Sequence, residues 1–463
     1  MNDTNVLPDD GRALSFGQRI CYATGNFTSS MSAMIVVGWL QYFYSPPPGS
    51  GLPIYLPLLS ISVLNFFGHA VDSISNPIIG YWSDRTRSAR GRRIPFLLGF
   101  TPSLALGFAL IWFPPLGRVS PVNIMWLFVW IGLFWFSYTA VVAPYLSMHP
   151  EITPYRKERI AVSAWMALFE LVGMILATVI AGDIIGKNKG GASIVGVHFG
   201  DGYKMVGICV AILILVTYYI PALTLKERPH SESKEVPFGF FHSIALCFKN
   251  PAFVPYIIPI SLMKMAGDLI IAVIPFLVKT VIWPDKDAVG MFHGMSSEAV
   301  AGIMQGVIVM VAVALFPLIA WMGGRIGKKK VVMGAFIWFG IITPFIATVG
   351  RWPLVSAPAQ GLVILLLFAP AVSSLFVLQR PLIADIMDYD EKLTGYRREA
   401  MYNGVEGLMT KFASGVSPLI MGTLFFIGGY TAQNPWGVLA AGPAAALFGL
   451  IAAFVFRKYP FRD

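Results

Sequence analysis

Twelve apolar runs, each long enough to cross a bilayer, divide these 463 residues into spans and short polar joints. About 20 apolar residues are needed per helical span. The runs fall at 16–44, 54–82, 95–116, 121–147, 160–186, 204–224, 253–283, 297–323, 331–350, 358–384, 401–429 and 435–456. A chain patterned this way folds as an all-α membrane protein, because only helices satisfy their own backbone hydrogen bonds in lipid. Composition agrees: 56% of residues are hydrophobic and 13% charged, against about 25% charged for soluble domains.

The charges set the orientation. Of the 34 Lys and Arg, 24 fall on the side that holds both termini. Five fall opposite (Arg118, Lys187, Lys189, Lys286, Arg351), and five lie in or at the ends of runs. Basic residues mark cytoplasmic loops, so both termini are expected in the cytoplasm. The formal +10 charge is therefore a topology signal and not a nucleic-acid one. Cys21, Cys209 and Cys247 are widely spaced and form no disulfide framework. No cleavable leader is read at the N-terminus, and a multi-pass protein of a bacterial inner (plasma) membrane is expected.

The two halves echo one another. Thr153–Arg159 (TPYRKER) resembles Thr394–Ala400 (TGYRREA), and Gly91-Arg92-Arg93 has its counterpart in Gly327-Lys328-Lys329-Lys330. Two parallel six-helix repeats are a transporter architecture with the site between them at the midplane. The expected division is 1–224, a polar cytoplasmic linker at 225–252, and 253–463.

One carboxylate, Asp72, lies deep in the second run, and a buried charge in a span is by default a functional-site hypothesis. With the side-chain oxygens of Ser75, Asn76 and Thr139 it is able to ring a sodium ion, a hard cation that wants several oxygens. Alone, it is able to carry a proton, which desolvation favours. Asp72 and Asn76 share a helix face. Lys411 needs an anion, a carbonyl or water: Asp72, a substrate phosphate, a sugar, or Glu406 five residues earlier. Glu170 is either a site residue or helix-packing glue. Trp135 and Tyr138 are placed to stack on a sugar ring or line an apolar groove. Lys264 and Asp268 are i and i+4 and read as a neutralising pair. No GxxxxGK[ST] motif is present, so a gradient supplies the energy. No organic cofactor or resident metal beyond sodium is expected, and a membrane enzyme or receptor finds no support in the residues.

Beyond these residues, a family resemblance emerges. Asp72-x-x-x-Asn76-Pro77-x-x-Gly80, the Asp84–Arg93 loop, Ala143-Pro144-Tyr145 through Thr153, Ile383–Glu391, and Thr410–Ser417 together resemble the glycoside–pentoside–hexuronide:cation symporters of the major facilitator superfamily. The resemblance implies a monomeric cation-coupled symporter that carries a sugar or glycoside by alternating access. The alternative within the same fold is a lysophospholipid or other amphiphile. In the family's sugar carriers the cation site has two carboxylates one turn apart; here the second position is Asn76. Ser75 and Thr139 match further cation ligands, and Lys411 matches a lysine of the eleventh span. The two sugar-binding aspartates fall on Ser30 and Val142, so both are absent. Asp84, Arg85, Arg92 and Arg93 resemble the superfamily's cytoplasmic latch, with Arg156, Arg159, Asp385, Asp388, Arg397 and Arg398 as the pseudo-symmetric set.

Overall fold

The computed structural model describes residues 14–152, 156–189, 191–194, 197–225, 227, 240–283, 290–395 and 399–461. Arg397 and Arg398, and the side chains of Asp84 and Arg156, lie outside the described residues. Seven helices precede residue 225: α1 (Phe16–Tyr44), α2 (Leu58–Arg85), α3 (Ile94–Leu110), α4 (Pro121–Ile152), α5 (Arg156–Ile175), α6 (Ala181–Lys187) and α7 (Gly202–Thr224). Eight follow: α8 (Phe240–Lys249), α9 (Val254–Leu277), α10 (Ser297–Ala314), α11 (Phe316–Ile326), α12 (Lys328–Ile342), α13 (Ala357–Thr394), α14 (Glu399–Gly428) and α15 (Trp436–Phe456). The one departure from all-helical architecture among the described residues is an antiparallel hairpin, Ala192–Ile194 with Val197–Phe199. The stretch read as a polar linker carries helix α8.

Ten of the described helical stretches are long and apolar enough to cross a membrane. This is a multi-pass membrane protein. Of the expected spans, α1 falls outside that set, and α3 is a shorter apolar helix of 17 residues. Two runs are interrupted. The run at 297–323 breaks between α10 and α11, where Pro317 supplies no N–H and its ring opposes helix continuation. The run at 160–186 passes through a π-helical turn, Leu176–Ile180, before α6.

Tyr42 and Phe276, near the ends of α1 and α9, meet edge to face at 5.1 Å, so these two helices run the same way. Lys328 pairs with Asp385, and Lys329 donates to the carbonyl of Arg457 at 3.1 Å. The start of α12 and the ends of α13 and α15 therefore share one face, called here the near face; the other is the far face.

At the near face a carboxylate closes the loop between α2 and α3. Glu227 accepts from the backbone N–H of Arg92 at 2.6 Å, Arg93 at 2.7 Å and Ile94 at 2.6 Å. An anion on the open N–H groups of a helix start is stabilising. Gly91, at φ +109°, supplies the left-handed turn, and a Cβ there would strike the Glu227 side chain. Glu227→Ala is expected to cost about 1–2 kcal/mol, on the scale of a lost helix cap. A thermal midpoint in detergent equal to wild type would show that this cap carries no weight.

The far face is where the two halves touch most tightly. Thr178, Gly182 and Gly186 present a row of small residues to Glu298, Gly302 and Gly306 of α10. A Cβ placed on Gly182 would come within 2.9 Å of the Gly302 Cα, so the backbones themselves are in contact. Small-residue rows of this kind allow close helix approach where lipid offers no hydrophobic drive. Beside this contact, the fully buried Glu298 carboxylate meets the Lys189 ammonium at 2.8 Å and accepts from the Tyr42 hydroxyl at 3.2 Å.

Candidate functional site

Between the halves lies a cavity of about 470 Å³. Toward the near face a second space of about 440 Å³ separates Leu146 and Ser147 of α4 from Gln379 and Arg380 of α13. The two share Gln379 and Thr410 as lining residues. The molecule is thus sealed at the far face and parted at the near one.

Asp72 is 2% exposed, on the α2 face turned to this cavity. Its Oδ1 accepts from the Lys411 ammonium of α14 at 2.7 Å and from the Thr139 hydroxyl of α4. Of the partners open to Lys411, the structure selects Asp72, 339 positions away in the chain. Lone charges here would be expensive; paired, each removes most of the other's cost. At the next residue, the Ser73 hydroxyl donates to the Leu408 carbonyl at 2.7 Å, which fixes α2 against α14 at this level. Ser75 is buried on the same helix, and the Asn76 amide faces Gly407 of α14. Thr139 and Lys411 are thus gathered on the Asp72 carboxylate, while Asn76 lies at the α2–α14 seam.

Trp135, Tyr138 and Glu170 all line the cavity. Trp135 packs against Tyr138 at 5.4 Å and against the His69 ring at 4.5 Å. The Lys411 ammonium lies 6.0 Å from the Tyr138 ring centre, at the outer limit of a cation–π contact. The Glu170 backbone carbonyl accepts from Ser30 at 2.9 Å, tying α5 to α1, while its side chain lines the cavity. The Lys264–Asp268 pair forms at 2.6 Å, and both residues line the cavity. The opposite wall, built from α10, α12 and α13, is mainly apolar, lined by Val309, Val313, Phe339, Phe368 and Phe376. One side of the cavity is charged and the other is greasy.

One expectation needs correction. Glu406 does not pair with Lys411. Five residues apart on a helix is the wrong angular step, and Glu406 instead accepts from Tyr256 and from Gln379 at 2.9 Å, with Arg380 at 3.5 Å. Among the near-face residues, Asp385 meets Lys328. Arg85 stacks its guanidinium over Tyr81 at 3.8 Å, Arg159 and Asp388 are exposed, and Arg92 and Arg93 hold Glu227 through their backbone N–H groups. Glu227, Glu298 and Gln305 were not anticipated: Glu298 is an acid in the first turn of α10, and Glu227 lies just past α7 and caps α3 from 133 to 135 positions away.

The sequence model for the MFS/sugar transport protein family matches residues 21–455. The chain belongs to that family. Members and structural neighbours of the MFS/sugar transport protein family are transporters, not enzymes. The isoprimeverose transporter of Lactiplantibacillus pentosus is 23% identical over 429 residues, covering 90% of this chain and 82% of that protein. The sodium-dependent lysophosphatidylcholine symporter 1 of Gallus gallus is also 23% identical, over 438 residues, covering 87% and 77%. Among solved structures, the nucleoside transporter NupG superposes with a TM-score of 0.64 at 12% identity, covering 96% of this chain and 99% of that one, a likeness of fold. Sugar and lysolipid carriers thus stand at equal distance by sequence.

Proposed function

We propose that this protein is a cation-coupled symporter that moves a sugar or glycoside across the plasma membrane by alternating access. In this reading it has twelve spans, with the near face and both termini in the cytoplasm, and works as a monomer of two six-helix units, 1–224 and 253–463, joined by 225–252. The observation that carries it is the Asp72–Lys411 pair, which joins helices from both halves inside the central cavity. The Lys411 ammonium occupies one side of Asp72 as a built-in cation. A sodium ion or a proton arriving at Asp72 neutralises the carboxylate and releases Lys411 toward the cavity. Thr139, with Ser75 and Asn76 after a small turn of α2, supplies neutral oxygens to the ion. Lys411, Tyr138, Trp135 and Glu170 then face the substrate. Binding of ion and substrate is linked because both act on one ammonium group. When the halves rock, near-face charges from Asp84, Arg85, Arg92, Arg93, Arg156, Arg159, Asp385, Asp388, Arg397 and Arg398 come together and latch the opposite state.

A glycoside fits a cavity with one polar and one apolar wall: the ring on the charged side, the aglycone against α10, α12 and α13. A second reading, a lysophospholipid or similar amphiphile, is favoured by the extent of that apolar wall. Uptake into proteoliposomes under an inward sodium gradient, with labelled glycosides and lysophosphatidylcholine side by side, separates the two. Saturable, gradient-driven glycoside uptake is expected. Lysophosphatidylcholine uptake alone would replace the first reading with the second, and uptake of both without any ion gradient would remove the coupling.

A further inference from the structure

On its α9 and α10 side, the cavity holds two buried acceptor oxygens with no hydrogen-bond partner. Gln305 of α10 is 1% exposed. Its orientation follows from a proline one helix away. Pro275 in α9 has no N–H, so the carbonyl of Ile271 loses its usual donor four residues on. Gln305 Nε2 supplies that bond at 3.0 Å. With the nitrogen committed, Gln305 Oε1 is left buried and without a hydrogen bond. One turn from Ile271, Asp268 gives Oδ1 to Lys264, and its Oδ2 is likewise buried and unbonded. Both residues line the cavity. Orphaned buried acceptors are costly, and they persist where something else completes them.

We propose that Asp268 and Gln305 form a hydroxyl-recognising pole on the C-terminal half, taking O–H donors from a polyhydroxylated ring. Two features select that chemistry. Lys264 at 2.6 Å already balances the Asp268 charge, so the pole favours a neutral donor over a second cation. Both open atoms are acceptors, so the ligand group must donate. Lys264, whose side chain is 53% exposed, is free to follow the carboxylate as Asp268 turns toward an entering ring, so the pair and its neutrality are kept. The inference rests on the sugar reading of the protein.

The test is calorimetric binding of p-nitrophenyl glucoside, galactoside and xyloside to the purified full chain, with the monodeoxy and monodeoxyfluoro analogues of whichever binds. Fluorine accepts but cannot donate, so at one ring position both analogues should bind about 10- to 100-fold more weakly than the parent. Gln305→Leu and Asp268→Asn should erase that difference while still responding to sodium. If the fluoro analogue binds like the parent at every position, the pole does not accept hydroxyls, and no variant is needed to show it. Variants that discriminate as wild type does would overturn the inference and leave the sugar reading intact. A wild type that binds no glycoside but takes up lysophosphatidylcholine overturns the sugar reading, and the inference with it.

Discussion

Asp72→Asn is expected to abolish sodium- or proton-driven accumulation, by at least about 100-fold, while sparing part of substrate exchange. The substitution keeps the shape of the side chain and leaves Lys411 and Thr139 without their anion. Removing one partner from a buried pair costs about 3–5 kcal/mol, because an uncompensated charge stays behind. Lys411→Ala should damage the protein comparably, since it leaves the carboxylate, 3% exposed, with one hydroxyl. The double variant is the informative one. Two neutral residues no longer frustrate each other, so its thermal midpoint should recover part of what either single variant loses. A double variant whose loss equals the sum of the singles would mean that the 2.7 Å contact is not an energetic unit. Concentrative uptake by Asp72→Asn at the wild-type level would sink the coupling assignment outright. Should Lys411→Ala leave substrate affinity untouched, Lys411 is a strut for Asp72 and nothing more.

What the sequence revealed of this site follows a simple physical line. A charge inside an apolar run is conspicuous because its transfer cost is high, so Asp72, Lys411, Glu170 and the Lys264–Asp268 pair stand out on inspection. Which charge meets which is another matter. Asp72 and Lys411 are brought together only by the packing of α2 on α14, and no local spacing encodes that. Glu406 shows the reverse error: nearness in sequence suggested a partner that helical geometry denies. Gln305 was illegible for a different reason. An amide in an apolar run acquires meaning only through Pro275 and Ile271 on a neighbouring helix. The apolar wall of α10, α12 and α13 hides for a third reason, since a side chain facing lipid and one facing a greasy cavity are drawn from the same residues. The long apolar helices were readable from hydropathy, whereas α8 was hidden in a stretch read as a polar linker. The break at Pro317 was not read, because Pro77, Pro275 and Pro370 sit inside continuous helices and proline alone does not mark a stop; the π-turn at Leu176–Ile180 leaves no mark either.

That π-turn bears on the second large effect, expected for Gly302→Leu. The extra residue in the turn shifts the angular register of α6, so that Gly182 and Gly186 meet α10 at the far face. There a Cβ on Gly302 would run into the carbonyl oxygen of Thr178 and reach 3.1 Å from the Gly182 Cα. A leucine side chain leaves the backbones no way to close. The far face should then stay open, and translocation should fall by at least about 100-fold while substrate still binds from that side. The state is measurable by placing a cysteine at Leu375, half-buried on the cavity wall, in a background lacking Cys21, Cys209 and Cys247. In Gly302→Leu that thiol should react with an impermeant maleimide from the far side and be protected from the near side, the reverse of the parent. Glu298→Gln should act in the same direction but more weakly, because Lys189 is 34% exposed and water replaces its partner. The contrast separates steric from electrostatic sealing. If Glu298→Gln opens the far face as fully as Gly302→Leu, the carboxylate and not the glycine row holds the two halves shut. If Gly302→Leu transports normally, backbone contact at the far face is an incidental feature of this state and has no part in the cycle.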